Sequence, residues 1–211
     1  MTGIKKKHLE IKLDKIPPHP DPKPELEQYS TPSNMATDIL YSAYLNRDIL
    51  GKKVIDFGCG TGIFSLGAAL LGAEEVVGVD VDKEAIEIAK DLAKRWDVKD
   101  KIDFKVMDIA EFDEKGDTVL MNPPFGSQKK GADIPFLNQA LKNAYKTYSV
   151  HNQKTEDYIR DYIKKRGFHI FWEKRYMFEI DKIFDFHTNV SKNINVILFA
   201  VKKLKRTDVI K

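Results

Sequence analysis

The chain carries one cysteine, Cys59, in 211 residues. One thiol can make neither an internal disulfide nor a four-cysteine zinc site, so a disulfide scaffold is excluded and a reducing, cytoplasmic setting is expected. Long apolar runs are missing as well. Residues 196–201 are the longest such run, far too short to cross a bilayer, and the charged N-terminus MTGIKKKHLEIKLDK has no apolar centre of the kind a secretory signal needs. No membrane association is expected. His169 and His187 have no neighbours at ligand spacing, so no metal is expected either. The phosphate-cradling string G-x-x-x-x-G-K-[ST] is absent. Nor does one sign of charge dominate, because the net charge is only +3. Its distribution is uneven, however: residues 142–211 hold 16 Lys and Arg against 8 Asp and Glu. A basic C-terminal third of this kind suits a polyanionic partner such as RNA.

The periodicity that is present describes an α/β chain. A short basic helix and a proline-rich stretch, IPPHPDPKPEL, read as an arm over residues 1–24, followed by a single domain over 25–205. Residues 31–46 have helical spacing, with Thr31 or Ser33 as N-cap. KKVIDFG, EVVGVDV, KIDFKVMDI and GDTVLMN read as strands, with GIFSLGAALLGA and DKEAIEIAKDLAKRW as helices between the first three. Asp82 is the expected cap of the second of these helices. Residues 133–148 and 155–166 read as helices, and HIFWEKRYMFEI and NINVILFAVKKL as closing strands. Strands alternating with helices predict a doubly wound, mostly parallel sheet covered on both faces.

Asp56, Phe57, Gly58, Cys59, Gly60, Thr61 and Gly62 sit where the first strand meets a helix, the place at which such a sheet binds its ligand. Three glycines in five residues let the backbone turn tightly and approach a ligand closely. Their G-x-G-x-G spacing differs from the G-x-G-x-x-G that holds a pyrophosphate. Asp56, just before them, suits an ammonium or sulfonium better than a phosphate. Asp80, ending the next strand, can accept from both hydroxyls of a ribose. Asp108, after the third strand, can accept from an exocyclic adenine amine. Acids at three successive strand ends predict a nucleoside with a cationic amino-acid tail, S-adenosylmethionine. Cys59 reads as a small residue in a tight turn.

Asn122, Pro123, Pro124 and Phe125 follow the fourth strand and are read as catalytic. A planar amine is a poor nucleophile because its lone pair is delocalised into the ring. The Asn122 side-chain oxygen and the Pro123 carbonyl can each accept one N–H and pull the nitrogen towards tetrahedral geometry. The two prolines hold that arrangement rigid, and Phe125 offers a face for an extruded base. After them come Ser127, Gln128, Lys129, Lys130 and Gly131, a loop whose Lys129 and Lys130 suit a phosphate backbone. Lys164, Lys165, Arg166, Lys174, Arg175 and Lys192 extend that candidate footprint.

These loops resemble those of class I, Rossmann-like methyltransferases acting on amino groups. With Glu27, Gln28, Tyr29 and Thr31 ahead of the core, and NPPFGSQKKGADIPFL after the fourth strand, residues 20–200 resemble the methyltransferase-like protein 5 family, rRNA adenine N6-methyltransferases of archaea and eukaryotes. The resemblance implies a seven-stranded sheet, one strand more than periodicity reveals. It implies that Gln28, Thr31, Gly58, Thr61, Ile63, Asp80, Asp108 and Ile109 line the cofactor pocket and that residues 122–125 hold the target adenine. It also implies a small-subunit rRNA target and a small zinc-binding activator of the Trm112 type. Thr61 departs from members that carry cysteine there. Two rival readings keep the same motif: modification of a glutamine side-chain amide in a protein, and a non-catalytic RNA-binding assembly factor. The first is expected to carry Tyr in place of Phe125 and a separate recognition domain; the second does not require an intact Asn122. DNA adenine methylation would call for an added sequence-reading domain.

Overall fold

A computed structural model describes residues 4–126, 129–181 and 191–204. Ser127, Gln128 and His187, named above, lie outside them. Along the chain come α1 (Lys6–Leu13), a 3-10 turn (Pro24–Leu26), α2 (Ser33–Leu45), β1 (Lys53–Phe57), α3 (Ile63–Leu70), β2 (Glu75–Asp80), α4 (Lys83–Arg95), β3 (Ile102–Val106) and β4 (Gly116–Met121). They are followed by α5 (Asp133–Asn143), β5 (Ala144–Asn152), α6 (Glu156–Lys165), β6 (Phe168–Asp181) and β7 (Ser191–Lys203).

The strand order is β3-β2-β1-β4-β5-β7-β6. The first five strands run parallel, and β7 is antiparallel to both β5 and β6. Strand side chains alternate between faces, so each strand feeds two cores. Val54 packs with the apolar sides of α1 to α4, whereas Ile55 and Phe57 pack with α5 and α6. In β7, Val196, Leu198 and Ala200 join the first core, and Ile197, Phe199 and Val201 the second. The N-terminal segment contributes to the first core through Leu9 and Leu13 of α1, both fully buried.

Two expectations need correction. Residues 144–148 do not extend the α5 helix; they open β5, which lies between β4 and β7. The helix stops where Ala144 turns extended, at φ −135° and ψ 158°. Periodicity hid this strand because one of its buried faces is polar: Thr147, Ser149 and His151 are all inaccessible. Ser149 Oγ meets His151 Nε2 at 2.6 Å and His151 Nδ1 meets Asp133 Oδ2 at 2.8 Å, so Ser149 and His151 are satisfied internally, while Thr147 Oγ1 has no hydrogen-bond partner among the described residues. The second correction concerns α2. Neither Thr31 nor Ser33 caps it; Pro32 is the cap residue. Ser33 Oγ instead donates to Asp14 at 2.8 Å, and Thr31 has a partner in the site described next. The expected cap on α4 is present, with Asp82 accepting from the Glu84 and Ala85 amides.

Candidate active site

A cavity of about 550 Å³ opens at the C-terminal ends of β1, β2 and β4. That is the volume of a small-molecule site. It gathers Gln28, Thr31, Gly58, Gly60, Thr61, Ile63, Asp80, Asp108, Ile109, Asn122, Pro123, Pro124 and Lys129. Asp56, Gly62, Phe125 and Lys130 do not line it.

The floor is built by backbone. Gly58, Gly60 and Gly62 all have positive φ, at 68°, 52° and 94°. Gly58 and Cys59 donate their amides to the Val79 carbonyl at 2.9 and 3.1 Å, and Gly60 donates to Asp80 Oδ2 at 2.8 Å. A Cβ on Gly60, which borders the cavity, would meet no atom within 4 Å. The loop therefore leaves open room where a ligand must come close. Gly62 has a different task. A Cβ there would stand 3.0 Å from Ala89 of α4, so this glycine lets α3 start against α4.

Asp56 also proves to be a brace. Its carboxylate is fully buried behind the loop and accepts from the Ser65 amide at 2.8 Å and the Ser65 hydroxyl at 2.6 Å, tying β1 to α3. Its other oxygen has no hydrogen-bond partner among the described residues. Burial, aided by the nearby Asp80 charge, pushes its pKa up to about 7. Asp80 does border the cavity. Burial raises its pKa too, against hydrogen bonds from the Asp82 and Gly60 amides. Asp108 accepts from the Ala110 amide at 2.8 Å and is otherwise exposed at the rim.

The roof comes from the N-terminal segment, of which residues 1–24 were expected as an arm and 25–31 as the start of the domain. His19 and residues 25–31 border the cavity. Asp82 Oδ2 anchors them: Lys23 Nζ donates to it at 2.7 Å, Gln28 Nε2 donates at 2.9 Å, and His19 Nε2 lies 3.4 Å away. Burial alone would raise the Asp82 pKa, but these donors and two backbone amides hold it well below the usual carboxylate range. Gln28 is thus tied to the wall at this site by its own amide, while its Oε1 accepts from Lys23 N at 2.7 Å.

The target-facing loop hangs from the same roof. Asn122 Nδ2 donates to Thr31 Oγ1 at 2.9 Å, and the Phe125 amide donates to Glu27 Oε2 at 2.8 Å. Asn122 Oδ1 is left buried with no hydrogen-bond partner among the described residues. Phe125 packs its ring against the first core rather than into the cavity. Phe136, in the first turn of α5, takes a place on the cavity wall, 3.2 Å from where a Gly58 Cβ would be. Sequence reasoning missed Glu27, Phe136 and the Asp82 anchor, because each acts on residues far away in the chain. The one signal was the family string that places Glu27 beside Gln28, Tyr29 and Thr31. Of the proposed basic footprint, Lys174 pairs with Asp38, Arg175 with Glu156, and Arg166 lies 3.4 Å over the Tyr162 ring. Those three charges are already engaged. Lys130 is exposed.

Comparison with known proteins agrees with this geometry. The profile of the ribosomal protein L11 methyltransferase (PrmA) family matches residues 35–123, the cofactor half of the domain, and ends inside the target-facing loop. The rRNA N(6)-adenosine-methyltransferase METTL5 of Danio rerio is 35% identical over 92% of this chain and 96% of its own length. Its counterpart in Drosophila melanogaster is 34% identical over 93% and 95%. Among solved structures, PH1948 of Pyrococcus horikoshii, described as a candidate RNA methyltransferase, superposes with a TM-score of 0.89 at 39% identity, covering 97% of this chain and all of that one. With relatives of this identity matched along nearly their whole length, the chain belongs to the METTL5 family of rRNA N(6)-adenosine-methyltransferases.

Proposed function

We propose that the chain methylates N6 of an adenine in rRNA, with S-adenosylmethionine as methyl donor and small-subunit rRNA as substrate. The observation that carries this reading is the Asn122 side chain. One of its N–H groups goes to Thr31, and its oxygen is buried and unmatched among the described residues. A buried acceptor without a partner costs about 1–3 kcal/mol. An incoming N–H removes that cost.

The cavity fits the cofactor. Gly60 leaves space beside the floor, Gly58 admits the Phe136 ring beside it, Asp80 suits ribose hydroxyls, and Asp108 with Ile109 suits the adenine edge and face. Gln28, Thr31, Thr61 and Ile63 complete the wall. S-adenosylmethionine supplies an electrophilic methyl group on a sulfonium. The chain supplies orientation. Asn122 Oδ1 and the Pro123 carbonyl grip the two hydrogens of the target amine, so that its lone pair faces the methyl carbon. Pro124 stiffens the turn and the cavity-lining Phe136 offers the base an apolar surface. Phe125, held by its amide, fixes the end of the turn. No strong base is needed, because the nitrogen becomes acidic once it carries the methyl group. Proximity and alignment account for most of the acceleration. Lys129 at the rim suits a flanking phosphate.

A Trm112-type zinc-binding activator fits the open side of the sheet. β3 sits at the edge and pairs with β2 alone, and Val81 and Val106 near its end are 48% and 46% exposed. An edge of this kind accepts a strand from a partner. The single buried thiol agrees with action in the reducing cytoplasm.

The test is methyl transfer from labelled cofactor into separate pools of rRNA, tRNA, DNA and ribosomal protein, run with and without the activator, followed by nucleoside analysis. Label is expected in rRNA as N6-methyladenosine. Asn122→Ala is expected to lower transfer by at least about 100-fold, with cofactor affinity by calorimetry unchanged within a few-fold. Label in protein glutamine, or full transfer by the Ala variant, would overturn the proposal.

A further inference from the structure

Between β3 and β4 the chain makes a short 3-10 turn, Ile109–Glu111. Asp108, just before it, and Ile109, its first residue, form one edge of the cavity. Most hydrogen bonds around this turn are its own. Asp108 Oδ1 accepts from the Ala110 amide at 2.8 Å, the Asp108 carbonyl accepts from Glu111 N at 3.0 Å, and the Ile109 carbonyl accepts from Phe112 N at 3.2 Å. Such bonds fix the shape of the turn but not its place.

Its place is set from outside. At the entrance, Met107 N donates to the Asp80 carbonyl at 2.9 Å. At the exit, the Phe112 ring stands edge-on to Phe57, with ring centres 5.2 Å apart. Between these points a side chain of α5 reaches the turn. Gln139 Nε2 donates to the Ile109 carbonyl at 2.6 Å and lies 3.5 Å from the Phe112 carbonyl. A carbonyl oxygen can only accept, so these partners decide which end of the Gln139 amide faces them: the NH2, with its two N–H groups. Gln139 is half-buried and stands three residues after Phe136, on the same side of α5. One face of this helix therefore gives the cavity an apolar wall and ties down the neighbouring edge. A turn held in place beforehand spares the ligand the cost of ordering it.

We propose that Gln139 is a positioning residue for the cofactor: by holding the Ile109 carbonyl to α5, it sets where the Asp108–Ile109 edge meets the adenine ring. The inference rests on the reading of Asp108 and Ile109 as the adenine's partners. Gln139 does not border the cavity, so it acts through them.

Gln139→Met keeps the length of the side chain and removes both N–H groups. Affinity for S-adenosylhomocysteine, the demethylated cofactor, is expected to fall about 3–10-fold by titration calorimetry, the scale of one neutral hydrogen bond. 5′-Methylthioadenosine, which keeps adenine and ribose but lacks the amino-acid tail, should lose the same factor. In methyl transfer, KM for the cofactor should rise by that factor while kcat stays within about twofold. Gln139→Glu is the second variant. Its ionised carboxylate brings an acceptor against two carbonyls and should bind more weakly than Met. A bond that merely joins α5 to the turn would lower the melting temperature of both variants and leave the affinities alone. That result overturns the inference. So does a loss confined to S-adenosylhomocysteine, a fall in kcat at unchanged KM, or a Glu variant that binds better than Met. Asp108→Ala separates the inference from the reading it rests on. Weaker binding in Asp108→Ala beside parental binding in Gln139→Met sinks the role of Gln139 alone. Parental binding in Asp108→Ala removes the adenine from this edge and takes the role of Gln139 with it.

Discussion

The two loops that form the site are held in opposite ways. The glycine loop between β1 and α3 is fixed mostly by main chain, through the Val79 carbonyl, within a stretch of fewer than thirty residues. The target-facing loop after β4 is fixed by side chains of Glu27 and Thr31, which lie 98 and 91 residues away from the atoms they hold. A main-chain loop tolerates side-chain replacement but not a change of backbone freedom. A loop hung from distant side chains has the reverse sensitivity: single-atom changes alter its function while the fold persists. The match to the L11 methyltransferase family covers the first loop and ends at the second, in keeping with this division.

The largest effect should come from denying the glycine loop its backbone. Gly62→Val puts a β-branched residue at φ 94° and a Cβ 3.0 Å from Ala89. Left-handed strain costs about 1–3 kcal/mol and the collision with α4 adds to it. A total of about 3 kcal/mol corresponds to a melting temperature lower by roughly 10 °C in a chain of this size, read by scanning calorimetry. The comparison breaks if the variant melts with the parent. Next comes Asp80, the side chain on which the floor does rely. Asp80→Ala removes the acceptor for the Gly60 and Asp82 amides and the proposed ribose partner. Loss of one charge-assisted bond is worth about 1.5–3 kcal/mol, so cofactor binding by titration calorimetry should weaken about 10–100-fold. Unchanged affinity would remove Asp80 from the cofactor site.

The same division explains what was legible in the sequence. β1 to β4 and the glycine loop were readable because their signals are local: an apolar β-branched run, a glycine turn, an acid at a strand end. α4 announced itself through Asp82 and its amphipathic face. β5 was not readable, because a strand buried on both sides with Thr147, Ser149 and His151 on one of them has no apolar run to show. Asp80, Asp108 and Asn122 could be singled out from their place at strand ends, and all three border the cavity. Asp56 and Gly62, expected at the ligand, do not border the cavity, for a related reason. Residues in one motif share a neighbourhood but not a direction; Asp56 turns to Ser65 and Gly62 to Ala89, away from the cavity. Local periodicity did not show the roof, because pairing of Glu27 or Lys23 with a partner more than fifty residues on leaves no trace in it; only the family resemblance placed Gln28 and Thr31 at the pocket.

Asp56 offers the smallest and most specific test. As a brace, it should act on stability through its proton and not through the ligand. An unfolded aspartate has a pKa near about 3.9, whereas burial pushes Asp56 in the fold up to about 7. Below the unfolded value both states are protonated, and its contribution is fully present. As pH rises from about 4 through about 7, the unfolded chain releases the proton first. The fold must then either hold a proton that solution would take or ionise a carboxyl sealed from water. Stability is therefore lost with rising pH across that window. Asp56→Asn has no proton to lose and keeps an acceptor for Ser65. In cofactor-free protein the two melting temperatures should lie close together at pH 5. By pH 8 the Asn variant should be ahead by on the order of 5 °C, given roughly 2–4 °C per kcal/mol at this chain length. Parallel profiles across the range would mean that the carboxyl ionises freely, and that the unmatched Asp56 oxygen meets solvent or a ligand after all.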